Sequence, residues 1–406
     1  MSKIQYSEIE GNSKGFYLVL LVLGGLVGLG ALAAFYMEHN GHWVTGMDNQ
    51  IAWGLPHVFA IFLIVAASGA LNVASIGTVF NKYLYKPLGR LSGLLAIALL
   101  AGGLVILVLD LGRPDRLIVA MTQYNLTSIF AWNILLYNGF FALVAVYLWT
   151  MMDRSVGKYY KSAGIAAFVW RLILTTGTGS IFGFLVARPG YDAAILAPTF
   201  IILSFSIGLA IFLLVTLAFY QGTNRELGDA VLLRMKNLLG VFVAATLYFV
   251  AVFHVTNLYA AEHREVEKFI LAGDSIHTKL FWIGFVIVGS LLPLLFLYSK
   301  AGKSRTMIIL SSLLVIVGAF SLLYVVVIGG QAKPLEIVNP NEWKVVSSSF
   351  GDAVDYHRYN PTLAEFLLGV GGIAMALLIV VFGCKVLRFL PVSLADKVVD
   401  PHAASK

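Results

Sequence analysis

The sequence predicts an all-α integral membrane protein of about ten transmembrane helices, with both termini cytoplasmic. Three observations carry that reading. Of 406 residues, 59% are hydrophobic and only 12% charged, whereas a soluble domain carries about a quarter charged residues. The apolar residues fall in runs long enough to cross a hydrocarbon core, which takes about 20 residues of helix. The basic residues divide unevenly between the loops at the two ends of those runs. A net charge of +7 is therefore a topology signal, since Lys and Arg sit in short loops between apolar runs. Nucleic acid is excluded as a partner.

The spans follow in order at 16–37, 57–80, 88–109, 128–152, 162–187, 193–220, 237–260, 277–299, 305–329 and 361–384. The first, Phe16–Met37, is too long for a signal-peptide core and has no small-residue cleavage site before His39, so it reads as an uncleaved span. His57 opens the second. The third closes in "LDLGRPDR" (109–116), where Gly112 and Pro114 stop the helix. The fourth carries Trp132 and Asn133 about a turn inside, and the fifth encloses Arg171. His254 lies roughly 9 Å below the outer end of the seventh, with Tyr259 nearer that end; His277 and Lys279 open the eighth, and Glu365 stands one turn into the tenth. The organisation is a tail (1–15), one membrane domain (16–390) and a second tail (391–406). A long outer loop, 330–360, could form a small cap. Tyr and Trp near many span ends, among them Tyr36, Trp53, Trp149, Tyr159 and Tyr298, suit an interfacial belt.

Roughly two thirds of the 28 Lys and Arg residues fall in the tails and even-numbered loops, which sets the direction. One cysteine, Cys384, rules out a disulfide framework and an iron–sulfur cluster ligated by this chain alone. No metal site is expected.

Orientation gives each polar residue a depth. His57, Asp110, Arg113, Trp132, Asn133, His254, Tyr259 and His277 all fall near the outer face, on separate helices. Ionisable groups at membrane depth normally face a bundle interior, and Arg113 could neutralise Asp110. A lone Asp or Arg here reads as a snorkelling helix end, and a lone His as a packing residue; the convergence of several types favours a site. Arg171, on the order of 13 Å inside its span, precedes "LILTTGTGS". That stretch places Thr175, Thr176, Thr178 and Ser180 nearby, as a proton or ion path or as structural pairing between helices.

The block "GALNVASIGTVFNKYLYKPLGRLSGLLAIALLAGGLVILVLDLGRPDRL" (69–117), followed by "NLTSIFAWN" (125–133), resembles the NrfD/PsrC family, the membrane subunits of polysulfide-reductase-type complexes. The ten-span length is similar to the branch that includes the DsrP-type subunits of sulfite-reductase-associated complexes. The resemblance implies two four-helix bundles plus flanking helices in the bacterial cytoplasmic (inner) membrane. It also implies a quinone or quinol site near the outer face, with menaquinone or ubiquinone as substrate and no haem or iron–sulfur cluster in this chain. The partners implied are a periplasmic ferredoxin-like iron–sulfur subunit and other membrane and cytochrome subunits. By motif, Asp110, Arg113 and Pro114 match "DLGRP", and Thr127, Ser128 and Trp132 match the helix that follows. His57, His254 and His277 enter by depth alone.

Quinol oxidation needs an apolar slot with polar groups at the two oxygens. His57 is the expected headgroup partner and Asp110 the proton acceptor or its orienter, with Arg113 holding Asp110 ionised. Two rivals stand beside this: an ion-translocating subunit built on the Arg171 helix, and a pure membrane anchor. Against a carrier, no Gly/Pro-broken helices recur at matching positions of two halves.

Overall fold

A computed structural model of the protein describes residues 4–333 and 358–399. Most of the expected outer cap, 334–357, and the ends of both tails lie outside the described residues. Among the described residues, ten helices are long and apolar enough to cross a membrane. They are α1 (Lys14–Asn40), α2 (Leu55–Thr78), α3 (Gly89–Leu109), α4 (Ile129–Met152), α5 (Tyr160–Gly183), α6 (Leu196–Gly222), α7 (Asp229–Tyr259), α8 (Ile276–Tyr298), α9 (Arg305–Ala332) and α10 (Leu363–Val386).

Most ends fall within a few residues of the sequence expectation. The largest difference is α7, which starts at Asp229 rather than 237 and so takes Lys236 into the helix. That ammonium is satisfied by reaching the Leu297 carbonyl at 2.6 Å. The two helices that follow α7, namely α8 and α9, depart in part from regular α-helix, with π-helical stretches at Leu280–Leu291 and Val325–Gly329.

The architecture is two four-helix bundles with two flanking helices. In the first, α2, α3, α4 and α5 close a ring; in the second, α6, α7, α8 and α9 do the same. The rings meet where α2 and α5 pack on α6, and α2 on α9. On the other side α10 covers α2 and α3, and α1 packs chiefly against α10. The consequence is that α2 is enclosed on every side: 94% of its apolar window is buried, against 22% for α1 and α4.

Close approach of backbones sets these crossings, as in membrane bundles generally, where small residues let helices touch. Gly69 on α2 lies directly against Gly208 and the Ser204 carbonyl of α6, Gly289 on α8 against Gly318 on α9, and Gly30 on α1 against Gly371 on α10. A two-residue antiparallel ladder, β1 (Tyr6–Ser7) with β2 (Leu390–Pro391), ties the two tails together at one end of the molecule, as an even number of crossings requires. We call this the tail side. The far side carries the loops with short helices Leu117–Thr122 and Arg264–Ala272.

A side chain on Gly208 has no room to grow, because its Cβ would enter the Gly69 carbonyl. Gly208→Leu is expected to cost at least about 3 kcal/mol through overpacking, seen as loss of the monodisperse detergent-solubilised species. Gly24→Leu, where nothing stands within 4 Å, leaves the thermal midpoint in the same detergent unchanged.

Candidate functional site

On the far side of the first bundle, α3 ends at Leu109, and Asp110 caps it with its backbone N–H on the Ile106 carbonyl at 3.0 Å. Gly112 then adopts φ +68, a left-handed conformation that costs glycine nothing and other residues much. The backbone turns away from the bundle there, leaving the Asp110 carboxylate pointing inward. On α2, Pro56 in the first helical turn starts the helix, with the Leu55 N–H met by the Tyr359 hydroxyl at 2.6 Å. That turn aims His57 across at α3.

His57 Nδ1 lies 2.8 Å from Asp110 Oδ2. The Asp110 side chain is wholly buried while that of His57 keeps 18% of its surface, so the imidazole is the accessible face of the pair. The contact is not aligned as a hydrogen bond: among the described residues, His57 Nδ1 and both Asp110 oxygens lack a well-directed partner. Such a buried, under-satisfied carboxylate is costly.

Trp53 stacks over His57, ring centroids 6.3 Å apart and 28° from parallel, and also meets Phe130, Phe182 and Tyr191. Its backbone is clamped by one side chain, Gln331 at the end of α9: the Trp53 N–H donates to Oε1 at 3.0 Å and Nε2 donates to its carbonyl at 2.9 Å. Arg188 donates to the Gln331 and Gln50 carbonyls at 3.0 and 3.1 Å. Burial pulls the Arg188 guanidinium below its ordinary pKa and pushes the Tyr191 phenol up. Tyr191 accordingly stays a donor, to the Val327 carbonyl. The second bundle therefore holds the roof of the first bundle's pair. Trp53, Gln50, Arg188 and Gln331 were not among the expected site residues. Only Trp53 had drawn notice, as a belt residue, and nothing in the spacing of the others marks them.

Several expected residues lie elsewhere. Arg113 does not neutralise Asp110; past the Gly112 turn it binds Asp115 through two bonds of 3.0 Å, in the open. That bond raises the Arg113 pKa and lowers that of Asp115. Trp132 faces outward with its indole N–H on the Leu126 carbonyl, and Tyr259 is 88% exposed. Asn133 is buried as a clasp, donating to the Ile129 and Gly177 carbonyls at 2.9 and 3.1 Å. Glu365 is the acid of a capping box on α10, taking the Tyr359 hydroxyl at 2.6 Å and the Gly46 N–H at 3.0 Å. Burial and that bond together push the Tyr359 phenol up.

His254 and His277 share the depth of His57 but belong to the second bundle. His254 Nδ1 sits 2.6 Å from Glu267 Oε2, and Asn257 donates to Oε1 at 3.0 Å. Glu267 lies on the surface helix Arg264–Ala272, whose Val266, Glu267 and Ile270 face inward. Its charged context, "EHREVEK", reads as a solvated loop, and only the helical spacing would have marked it. His277 lies beside Phe269 and Tyr324, with neither ring nitrogen hydrogen-bonded among the described residues. A cavity of about 20 Å³ touches His254 and Thr199, room for roughly one water. Neither His57 nor Asp110 is among the residues that line it.

Of the residues near Arg171, Thr175 lies on the same face and Thr176 does not. Arg171 is fully buried, donating to Asn72 Oδ1 at 2.8 Å and lying over Phe168 and Phe205. Thr175 donates to Ser68 at 2.6 Å. Thr176, about 100° further round the helix, is exposed. Thr178 bonds its own Leu174 carbonyl at 3.0 Å, and Ser180 is buried one turn beyond Thr176. The expected hydroxyl path is thus broken at Thr176 by helix geometry. Among the described residues, no three His, Cys, Asp or Glu converge as metal ligands.

A family model described as polysulphide reductase, NrfD, matches residues 43–334. The Hdr-like menaquinol oxidoreductase integral membrane subunit of Archaeoglobus fulgidus is 27% identical over 98% of this protein and 99% of its own length. A selenate reductase subunit of Mesobacillus selenatarsenatis is 24% identical over 89% and 92%. A polysulfide reductase polypeptide of Wolinella succinogenes is 23% identical over 70% and 95%.

Because the two histidine–acid pairs lie in different bundles, they should fail separately. Glu267→Ala leaves His254 and Asn257 without their acceptor, expected to cost about 3 kcal/mol. Hydrogen exchange should quicken over 254–272 and stay unchanged around 57 and 110.

Proposed function

The chain belongs to the polysulphide reductase NrfD family, and from that premise we propose that it is the quinol-reactive, multi-pass membrane subunit of a multisubunit oxidoreductase in the cytoplasmic membrane. The observation that carries the reading is the His57–Asp110 pair at 2.8 Å, its carboxylate sealed and its imidazole accessible beneath Trp53.

Oxidising a quinol releases two protons and two electrons. His57 accepts one hydroxyl proton at Nε2 while Nδ1 faces Asp110, whose carboxylate stabilises the imidazolium that forms and fixes the ring's orientation, as a buried acid does for a catalytic histidine; the second proton leaves to water at the exposed rim. The Trp53 indole supplies a flat wall for the ring. Exposed apolar residues at the far side, Leu111, Ile118, Val119, Leu126 and Phe130, offer a route from the bilayer for the isoprenoid substituent. The two electrons would leave to an iron–sulfur partner docked on this side, and the charge bias of the loops supports its being the periplasmic one. The full-length likeness to a menaquinol oxidoreductase subunit supports menaquinol as the substrate, and the likeness to a polysulfide reductase polypeptide supports a complex of sulfur metabolism.

In the assembled complex, Asp110→Asn and His57→Ala should each lower menaquinol oxidation by about 10²–10⁴-fold, the usual worth of a general base, with every partner still bound. Wild-type turnover in both removes the assignment.

Proton translocation through α5 is the second reading, favoured by the buried guanidinium of Arg171. Its partners support a structural role instead, joining α5 to α2. In proteoliposomes, Arg171→Leu should leave the protons moved per quinol unchanged, while unpairing Asn72 costs about 1–3 kcal/mol of stability. A proportionate loss of proton movement at normal quinol turnover would reverse this.

A further inference from the structure

On the tail side, away from the His57 pair, a broad depression of about 880 Å³ opens between the end of α4 and the β1–β2 ladder. Three arginines line it: Arg90 at the start of α3, Arg154 just past α4 and Arg388 just past α10. Apolar groups, Met151, Met152, Ile4 and Val392, share the lining with the polar Gln5, Tyr6 and Ser7.

The arginines differ in their freedom. Arg90 is held, donating to the Arg388 carbonyl at 3.0 Å and the Met151 carbonyl at 2.6 Å, with its guanidinium 3.9 Å from the Tyr6 ring centroid. Arg388 shares an exposed pair with Glu8 at 3.3 Å. The Arg154 guanidinium has no hydrogen bond or ion pair among the described residues. One carboxylate, Asp153, lines the rim, but it is engaged by Ser155 and Trp149. Burial pushes the Tyr6 hydroxyl up to about 12, so it adds no opposing charge.

Level matters as much as charge. The depression sits where spanning helices end, with Trp149 and Tyr159 exposed alongside, the depth of phospholipid headgroups. Planar guanidinium donors match phosphate oxygens, basic hollows between helix ends on this side are suited to anionic headgroups, and the methionines offer contact to glycerol and the first acyl carbons. We propose that this depression binds the phosphate of an anionic phospholipid of the adjoining leaflet. The site is independent of the quinol reading.

The test uses the complex delipidated in detergent and then supplied with phosphatidylglycerol, phosphatidylcholine or inorganic phosphate, with retained lipid counted by native mass spectrometry. Arg154→Ala/Arg388→Ala removes the two exposed guanidinium groups and spares Arg90, so the fold is kept; an unchanged thermal midpoint verifies this. Wild type should retain phosphatidylglycerol at least tenfold better than the double variant and better than it retains phosphatidylcholine, and the Lys/Lys variant should recover part of the difference. Equal retention by wild type and double variant overturns the proposal, as does equal retention of phosphatidylcholine. Displacement of the lipid by millimolar inorganic phosphate would assign the hollow to free phosphate instead.

Discussion

In hydrocarbon a polar group survives only beside another polar group, and in this protein the helix that meets that demand is α2. Most polar contacts between helices of the first bundle have α2 on one side, the α4–α5 bonds of Asn133 and Trp170 being exceptions. His57 faces Asp110 of α3, Ser68 and Asn72 hold Thr175 and Arg171 of α5, and Ser92 of α3 bonds the backbone at Ala70 and Ala74. At the tail end Thr78 meets the hydroxyls of Tyr147 on α4 and Tyr160 on α5. An isolated α2 would carry these groups into lipid unpaired. Surrounded by five helices, it becomes the axis on which the bundle is registered.

The same demand explains why two clusters of similar composition differ in character. In the second bundle both oxygens of Glu267 are engaged, by His254 and Asn257, and the pair pins a surface helix. In the first, the Asp110 oxygens meet only an obliquely placed imidazole that reaches the surface. Satisfied pairs hold structure; the under-satisfied one, whose imidazole reaches the surface, is the pair proposed above to take the quinol proton.

Much of this was legible in the residues alone. Apolar run length located all ten spans, because hydrocarbon thickness dictates it, and rise per residue located the depth of each polar group. Depth is not azimuth, however. Thr175 and Thr176 are neighbours in sequence and face opposite surroundings, and His57, His254 and His277 share a level while belonging to different rings. Arg113 and Asp110 looked like partners until the left-handed turn at Gly112 sent the guanidinium to Asp115. Gln331 was illegible for another reason: its partner Trp53 is 278 residues away, and no local pattern encodes so distant a clamp.

The flanking position of α1 bears on how the protein is made. Its main neighbour is α10, met at Gly30 and Gly371, and the tails beyond them are laced by the short ladder. Of the ten spans, the first made therefore waits in lipid until the tenth has been synthesised, held by its own hydrophobicity. Assembly of the ten spans closes by returning the tenth to the first, so the contact that completes the bundle is also its latest.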